Sequence, residues 1–254
     1  MALIALACYD TIENGRSHYT MRTLLSLKDT IDLERHRVVI VDNASCDATK
    51  RILETAKSWA TVITNEVNVG TAKAINQAWA LRKPKEHLIK MDNDVEFYFT
   101  DWVDDMEYAI ETDKSIGILG LKRKDLMENP FRNDHWKTTL RMLPHNKGDR
   151  WIIVEDAEHI MGTCTMFNYR LIEKIGGMYQ MDGLYGFDDT LACVRSKLAG
   201  FKNSFLPHIE IDHIDEGGNE YTDWKRKYAG QMMDKFNEVK RKFAIGEQSI
   251  YIPI

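Results

Sequence analysis

Two aspartates, Asp92 and Asp94, directly follow the apolar run HLIKM and enclose Asn93. Residues two apart on an extended chain face the same side, so the two carboxylates can share one hard cation. Ligands of open α/β sheets bind beyond the carboxyl ends of the strands, and a metal ion bound to a diphosphate suits such a pair. Aspartates at strand ends also form turns and helix caps, so the pair alone is a weak signal. An EF-hand is excluded, because Phe97 stands where that loop requires glycine.

Polar residues follow two other apolar runs, in the segments VVIVDNASCDAT and NEVNVGTAKAIN. After the first run, Asp42 could accept a hydrogen bond from a base N–H or a ribose hydroxyl, or it could serve only as a helix cap. In the second segment, Gly70 permits a close backbone approach and Lys73 can neutralise a phosphate, although Lys73 is equally suited to a solvated surface. These residues and Asn68 join the aspartate pair as candidates for nucleotide binding.

The elements that must position these residues are short apolar runs that alternate with helical patterns. The runs are rich in Ile, Val and Leu, as strands covered on both faces are, and they span residues 2–8, 38–41, 61–64, 86–91 and 116–121. Helices are predicted to begin near Asp47, Gly70 and Thr100. This order predicts an α/β fold with a Rossmann-like, mostly parallel central sheet flanked by helices.

The second half of the chain has a different pattern. Residues 122–150 form a polar stretch with prolines and glycine, which indicates an insertion rather than another strand–helix unit. Strands are predicted next at 151–154 and 160–167, followed by a short helix that ends at Gly176-Gly177. A helix at about 188–199 and a strand pair through Phe205 and Ile211 come after it. The sheet is therefore expected to be mixed in this half.

The composition is that of an ordinary globular chain, large enough for a sizeable core. Of its 254 residues, 44% are apolar and 29% charged, and no apolar run approaches the roughly 20 residues that span a bilayer. The four cysteines lie far apart without a C-x-x-C pair, which argues against a disulfide framework or a zinc ribbon. We expect a cytosolic protein with reduced thiols, of one domain or one domain with an appendage.

A basic helix is predicted near the C-terminus, at residues 221–243. Apolar side chains recur there at helical spacing, and seven Lys or Arg against three Asp or Glu give this segment +4 in a chain of net charge −5. The pattern favours a packed helix with a solvated basic face, and the alternative is a surface for anionic lipid or nucleic acid. The insertion at 122–150 is also basic, and its cationic and aromatic residues include Arg123, Arg132, His135, Trp136, Lys137, Arg141 and Arg150.

The ordered motifs resemble those of family 2 nucleotide-sugar glycosyltransferases of the GT-A fold. The resemblance covers residues 2 to about 215 and runs through VVIVDNASCDAT, NEVNVGTAKAIN, HLIKMDNDVEF, GTCTMFNYRLIEKIGGM and LYGFDDTLACVRSKLAGFK. It implies a small mixed second sheet beside the central one. The corresponding parts are a nucleotide-binding half at residues 1–121, the insertion at 122–150 and an acceptor half at 151–215. A C-terminal basic helix with its tail follows at 216–254.

The resemblance also implies roles for individual residues on the donor side. Asp42 would contact the nucleotide base, Asp92 the ribose or the metal, and Asp94 the metal that bridges the donor diphosphate. His213 resembles the late histidine that joins the metal or the diphosphate, with His208 as its competitor. The remaining expected donor contacts are Ala7, Tyr9, Asp10, Asn68, Gly70, Lys73 and Asn93.

The acid pair Asp188-Asp189 stands where the family commonly has Glu-Asp, whose second acid is the proposed base. An inverting transfer needs a carboxylate that takes the proton of the acceptor hydroxyl while the metal stabilises the departing diphosphate. We therefore assign the base to Asp189 and keep Asp188 as its neighbour or substitute. Without the resemblance, two acids at a helix start are better explained as a cap and a dipole partner.

These features predict a metal-dependent, inverting glycosyltransferase that uses Mn²⁺ or Mg²⁺ and a nucleotide-diphosphate sugar, with UDP-sugars the commonest choice in the family. The acceptor stays open among glycans, lipid-linked glycans, protein and modified nucleic acid. One alternative is a sugar nucleotidyltransferase, for which CYDTIENGR offers only Gly15 and Arg16. Another is an inactive nucleotide- or carbohydrate-binding protein. We expect a cytosolic enzyme, with a peripheral position at a membrane as the alternative location.

Overall fold

The structure is a computed structural model that describes residues 1–127, 138–143, 151–215 and 220–254. Much of the predicted insertion therefore lies outside the described residues. Of the cationic and aromatic residues named for it, those outside are Arg132, His135, Trp136, Lys137 and Arg150.

The described part of the chain contains ten strands and eight helices. In chain order the strands are β1 (Ala2–Cys8), β2 (Arg37–Asp42), β3 (Thr61–Thr64), β4 (His87–Met91), β5 (Val95–Glu96), β6 (Ile116–Arg123), β7 (Thr138–Leu143), β8 (Ile152–Ala157), β9 (Cys164–Phe167) and β10 (Lys202–His213). The helices are α1 (Ser17–Thr30), α2 (Asp47–Ala56), α3 (Thr71–Trp79), α4 (Trp102–Thr112), α5 (Lys124–Met127), α6 (Tyr169–Ile175), α7 (Asp188–Leu198) and α8 (Glu220–Ala244).

The strands form one mixed sheet in the order β3-β2-β1-β4-β9-β6-β10-β8-β7. β1 pairs in parallel with β2 and β4, and β2 with β3, as strand–helix–strand repeats require. β9 lies antiparallel between β4 and β6, and β8 lies antiparallel beside β10. The first half is therefore parallel and the second mixed, as predicted. The short β5 pairs antiparallel with the end of β10. Where the resemblance implied a small mixed second sheet, the described residues thus form only this antiparallel pair.

Side chains of β1 alternate between two helix layers, one on each face of the sheet. Ile4 and Leu6 are fully buried in the cluster that contains residues of α1, α2 and α4. Leu3 and Ala5 face the opposite cluster, which contains residues of α3, α6 and α7. Because successive strand residues point to opposite faces, burial on both faces explains why the runs are apolar throughout.

Two predicted strand boundaries in the second half were wrong. The expected strand pair through Phe205 and Ile211 is the single twelve-residue β10, whose register against β6 shifts between Leu206 and Glu210. The shift coincides with Pro207, which has no N–H for a ladder. The strand expected at 160–167 begins only at Cys164, because the backbone of Gly162 hydrogen-bonds to the side chains of Lys90 and Asp189 instead.

The predicted basic helix at 221–243 forms α8, and it packs on the domain through its C-terminal half. Phe236, Val239 and Phe243 are buried against Met181 and Leu191. Several of its basic side chains pair with exposed acids, as Lys235 does with Asp182, so this face is solvated. Among the described residues, no helix combines the length and the apolar character that crossing a bilayer requires.

Candidate active site

A cleft of about 900 Å³ opens at the carboxyl ends of β1 and β4. It is bounded on one side by the residues after β4 and the end of β10, and on the other by the start of α7. The predicted site residues that line it are Ala7, Tyr9, Asn68, Asp92, Asn93, Asp94, Asp188, Asp189 and His213. The fold thus brings the aspartate pair after β4 and the acid pair of α7 to one cleft.

Asp94 and His213 are brought together by the pairing of β5 with β10. The register joins His213 to Val95, and the backbone N–H of Ile214 donates to the Asp94 carbonyl at 2.9 Å. The His213 Nε2 lies 3.4 Å from the Asp94 Oδ2. His208, the competitor considered for this position, is exposed on β10 and does not line the cleft.

Arg16 also binds the Asp94 carboxylate, with its Nη2 at 2.5 Å from Oδ2, and its Nη1 donates to Asp215. The side chains of all three residues are at most 5% exposed. Burial would raise the pKa of Asp94, but His213, Arg16 and Lys225 outweigh it and hold that pKa well below its usual range. Asp94 is therefore a buried, ionised carboxylate at the cleft wall.

Asp92 is more open, with 36% of its side chain exposed, and its Oδ1 accepts from the Lys90 Nζ at 2.5 Å. Lys90 is the fourth residue of β4 and is buried. Its ammonium group donates to the Gly162 carbonyl as well. Burial would lower the pKa of Lys90, but Asp92, Asp188 and Asp189 raise it well above its usual range.

Asp188 and Asp189 form the first turn of α7, after Phe187 in a left-handed conformation with φ of 60°. The Asp189 Oδ2 accepts from the Gly162 N–H at 3.1 Å, and its Oδ1 accepts from the Thr190 N–H at 2.7 Å. Burial and the neighbouring charges of Asp189 and Asp92 raise the pKa of Asp188 to about 6, against the opposing effect of Lys90. The carboxylates of this turn therefore differ in environment although they are adjacent in sequence.

The part of the cleft beside the carboxyl ends of β1 and β2 contains Ala7, Tyr9 and Asn68, together with Asn43. The Asn43 Nδ2 donates to the Asn68 Oδ1 at 2.7 Å, and the Gly70 N–H donates to the same oxygen at 2.9 Å. This network fixes the orientation of the Asn68 amide. Asn93 is fixed from beneath, since its Nδ2 donates to the Asp10 Oδ1 at 2.9 Å.

Four of the predicted donor-binding residues do not line the cleft. Asp10 is fully buried and accepts from the hydroxyls of two threonines as well as from Asn93. Asp42 is also buried and accepts from the Ser45 N–H at 2.8 Å, a turn before α2, whose N-cap is Cys46. Gly70 is the N-cap of α3, with φ of 91°, and Lys73 is exposed on that helix. Direct contact of these four with a donor stays a prediction.

Sequence reasoning missed several residues that line the cleft. The cations are Arg16, Lys90, Arg123 and Lys225, and Asp215 pairs with the first of them. Lys90 had a local signal, since it is a charge inside the apolar run HLIKM. Arg16 had none, because its partners are 78 and 199 residues away in sequence.

The donor set around Asp94 fits a divalent cation. Its Oδ1 is buried without a hydrogen-bond partner among the described residues, although the carboxylate is ionised. Carboxylate oxygen and imidazole nitrogen, as Asp94 and His213 offer, suit Mn²⁺. A preassembled three-residue cluster exists in the described part only at His36, Asp104 and Glu107, and Arg35 already pairs with both acids there. Asp94 and His213 would therefore need ligands from the donor itself.

Solved structures with a similar fold are sugar transferases. A mannosyltransferase of Pyrobaculum calidifontis, in complex with GDP-Man and Mn²⁺, has a TM-score of 0.63 at 18% identity and matches 88% of this chain and 59% of its own. TarS of S. aureus (residues 1–349) has a TM-score of 0.57 at 18% identity, and the match covers 83% of this chain and 59% of TarS 1–349. GalNAc-T7 with UDP, GalNAc and Mn²⁺ has a TM-score of 0.62 at 13% identity, and the match covers 84% of this chain and 43% of GalNAc-T7. The chain thus spans less than two thirds of these neighbours, and no curated protein sequence matches it significantly.

The fold defines the class of the protein as an α/β glycosyltransferase-type domain of the GT-A kind. The sequence model described as "Glycosyl transferase family 2" matches residues 8–176. The chain therefore belongs to glycosyl transferase family 2.

Proposed function

We propose that this chain transfers a sugar from a nucleotide-diphosphate sugar to an acceptor hydroxyl, with inversion at the sugar carbon. The observation that carries the proposal is the position of two acid groups in one cleft: Asp92 and Asp94 on one side, Asp188 and Asp189 on the other. A donor whose diphosphate lies at Asp94 would present its sugar toward α7, where a carboxylate can reach the acceptor. The retained acids argue against an inactive binding protein.

In this proposal the chain's own residues bind the donor and move one proton. Asn68 and Tyr9 line the part of the cleft for the nucleoside, and Asp92 lies where the ribose or the diphosphate would pass. The Asp189 carboxylate accepts the proton of the acceptor hydroxyl as that oxygen bonds to the sugar carbon and the nucleotide diphosphate leaves. The N–H groups of Gly162 and Thr190 hold this carboxylate in a fixed orientation.

A divalent cation, Mn²⁺ or Mg²⁺, would be held by Asp94 and His213, with Asp92 as a further ligand. When bound, such an ion stabilises negative charge on the departing diphosphate. The similar mannosyltransferase and GalNAc-T7 structures contain Mn²⁺, with GDP-Man and UDP respectively, which supports the metal assignment. Whether this chain uses uridine or guanosine nucleotides is left to experiment. UDP-sugars are the first donors to test, followed by GDP-sugars.

The acceptor is not defined by these observations. The pairing of exposed α8 lysines with acids favours a solvated basic face over a lipid or nucleic-acid surface. Contact of residues 122–150 or 221–243 with anionic lipid or nucleic acid stays a prediction, as does a location in the cytosol.

Calorimetric titration with nucleoside diphosphates and their sugars tests the donor assignment. In Mn²⁺, we expect one nucleotide family to bind the wild-type chain and Asp94→Asn to lose that binding. The matched control is Asp29→Asn, which changes an exposed acid of α1 and should bind like wild type. NMR of the product then tests inversion: an anomeric configuration retained from the donor would contradict the proposed role of Asp189.

A further inference from the structure

Lys90 connects the two acid groups of the cleft from below. Along β4, Leu88 and Lys90 point to the face of the sheet covered by α3 and α7, whereas Ile89 and Met91 point to the other. The stem of Lys90 lies beside Ile118, Phe167 and Met178 on that face. A lysine in such surroundings is costly unless its ammonium group is paired, so its partners indicate what it stabilises.

The partners of Lys90 come from both sides of the cleft. Its Nζ donates to Asp92 on the donor side and to the carbonyl of Gly162. The N–H of the same glycine donates to the Asp189 Oδ2 on the acceptor side. The three groups form a continuous chain of hydrogen bonds from the donor acids to the proposed base.

Gly162 allows this series of hydrogen bonds between Lys90 and Asp189 to be short. A Cβ at this position would lie 2.8 Å from the Lys90 Nζ and 3.0 Å from the Asp189 Cβ, both closer than normal contacts. The backbone here is not left-handed, so the space rather than the conformation requires glycine. Any side chain at this position would push the lysine and the aspartate apart.

The charges explain why a cation is needed at this point. Asp92, Asp188 and Asp189 all interact electrostatically with Lys90. Three carboxylates at one cleft floor repel one another strongly in a partly desolvated site. A fixed positive charge among them allows the donor acids and the base to approach.

We propose that Lys90 is a positioning residue that fixes the distance between Asp92 on the donor side and Asp189 on the acceptor side. This inference rests on the proposed function, because it assigns those two acids to donor and base. In this assignment Lys90 acts through the orientation of Asp189, by way of Gly162, rather than by binding a substrate. Its effect therefore falls on turnover more than on donor binding, since Asp94, His213 and Asn68 would still hold the donor.

The test uses the full chain, a nucleotide sugar that the wild type turns over, and the variants Lys90→Met, Lys90→Arg and Gly162→Ala. We expect Lys90→Met to lower kcat by about 10²-fold, the loss that a misplacement of about 1 Å can cause, with KM for the donor changed less than about tenfold. Lys90→Arg should restore much of kcat because it restores the charge. Lys83→Met is the matched control, since Lys83 is exposed before β4 at the opposite end of that strand.

Gly162→Ala keeps the lysine and tests the same spacing. We expect it to lower kcat without a matching rise in KM, and it decides the question even if Lys90→Met does not fold. Wild-type kcat in both Lys90→Met and Gly162→Ala would overturn the assignment. A parallel loss of kcat, donor binding and melting temperature in Lys90→Met, unrelieved in Lys90→Arg, would also overturn it as merely structural. A wild-type chain without any nucleotide-sugar turnover would instead overturn the proposed function, and this assignment with it.

Discussion

Arg16 offers the sharpest test of the buried charges in the cleft. Its guanidinium is shared by Asp94 and Asp215, whose side chains are 4% and 5% exposed. Arg16→Met keeps the length of the side chain and removes the charge. Asp94 would then keep His213, at 3.4 Å, and the charge of Lys225, but would lose its direct partner Arg16. Removing one partner of a buried ion pair costs about 3–5 kcal/mol, because the remaining charge is left uncompensated.

The expected loss is large enough for ordinary denaturation experiments. At about 2–4 °C per kcal/mol for a chain of this size, the melting temperature of Arg16→Met should fall by about 6–20 °C. The control is Arg22→Met on α1, the helix that follows Arg16. Arg22 forms an ion pair with Glu96, and its side chain is 46% exposed. Exposed pairs contribute about 0–1 kcal/mol, so this variant should melt close to wild type.

Mn²⁺ adds a second measurement to the same variants. If Asp94 binds the ion, Mn²⁺ replaces part of the missing positive charge, and at a hundredfold excess over its Kd it stabilises a protein by about 2.7 kcal/mol. We expect Mn²⁺ to raise the melting temperature of Arg16→Met and to leave Arg16→Met/Asp94→Asn unchanged. A loss of stability in Arg16→Met no greater than in Arg22→Met would refute the reasoning about the buried pair.

Two further predictions concern α7. The raised pKa of Asp188, about 6, means that the folded chain keeps a proton there up to that pH, whereas the unfolded chain releases it near pH 4. Stability contributed by the neutral form is therefore lost as the pH rises through about 6. Asp188→Asn should raise the unfolding free energy, measured by urea titration, by roughly 1–2 kcal/mol at pH 7.5 but not at pH 4. Equal effects at the two pH values would contradict this. Arg195 is fully buried and donates to the carbonyls of Ile175, Gly177 and Ile250. Each buried acceptor left unsatisfied costs about 1–3 kcal/mol, so Arg195→Met should cost at least about 3 kcal/mol and expose the C-terminal tail to proteolysis. A tail as resistant as in wild type would count against this anchor.

Much of the fold could be predicted because its local signals agree with one another. The runs of β1 to β4 are apolar throughout since both faces are covered, and each is followed by a helical pattern. The location of Asp92, Asp94 and His213 at strand ends follows from the rule that such sheets bind ligands at one edge. The pair Asp188-Asp189 needed the family resemblance, because a helix start explains two acids equally well.

The rest depended on contacts that are distant in sequence. Asp94 and Arg16 are 78 residues apart, and Lys90 and Gly162 are 72 apart. No periodicity reports such pairs, so the cations that neutralise the cleft could not be inferred. β10 is one strand where two were expected, because it continues past Pro207 by a shift in its register against β6.

The most direct test of the account is donor turnover, measured as nucleotide release with an acceptor mixture, in wild type and Asp94→Asn, each with Mn²⁺ and with a chelator. The account predicts turnover only in wild type with Mn²⁺, with loss on chelation and recovery when the ion is restored. Equal turnover of Asp94→Asn, or turnover by wild type that the chelator does not reduce, would contradict the claim that Asp94 holds a metal for nucleotide-sugar transfer.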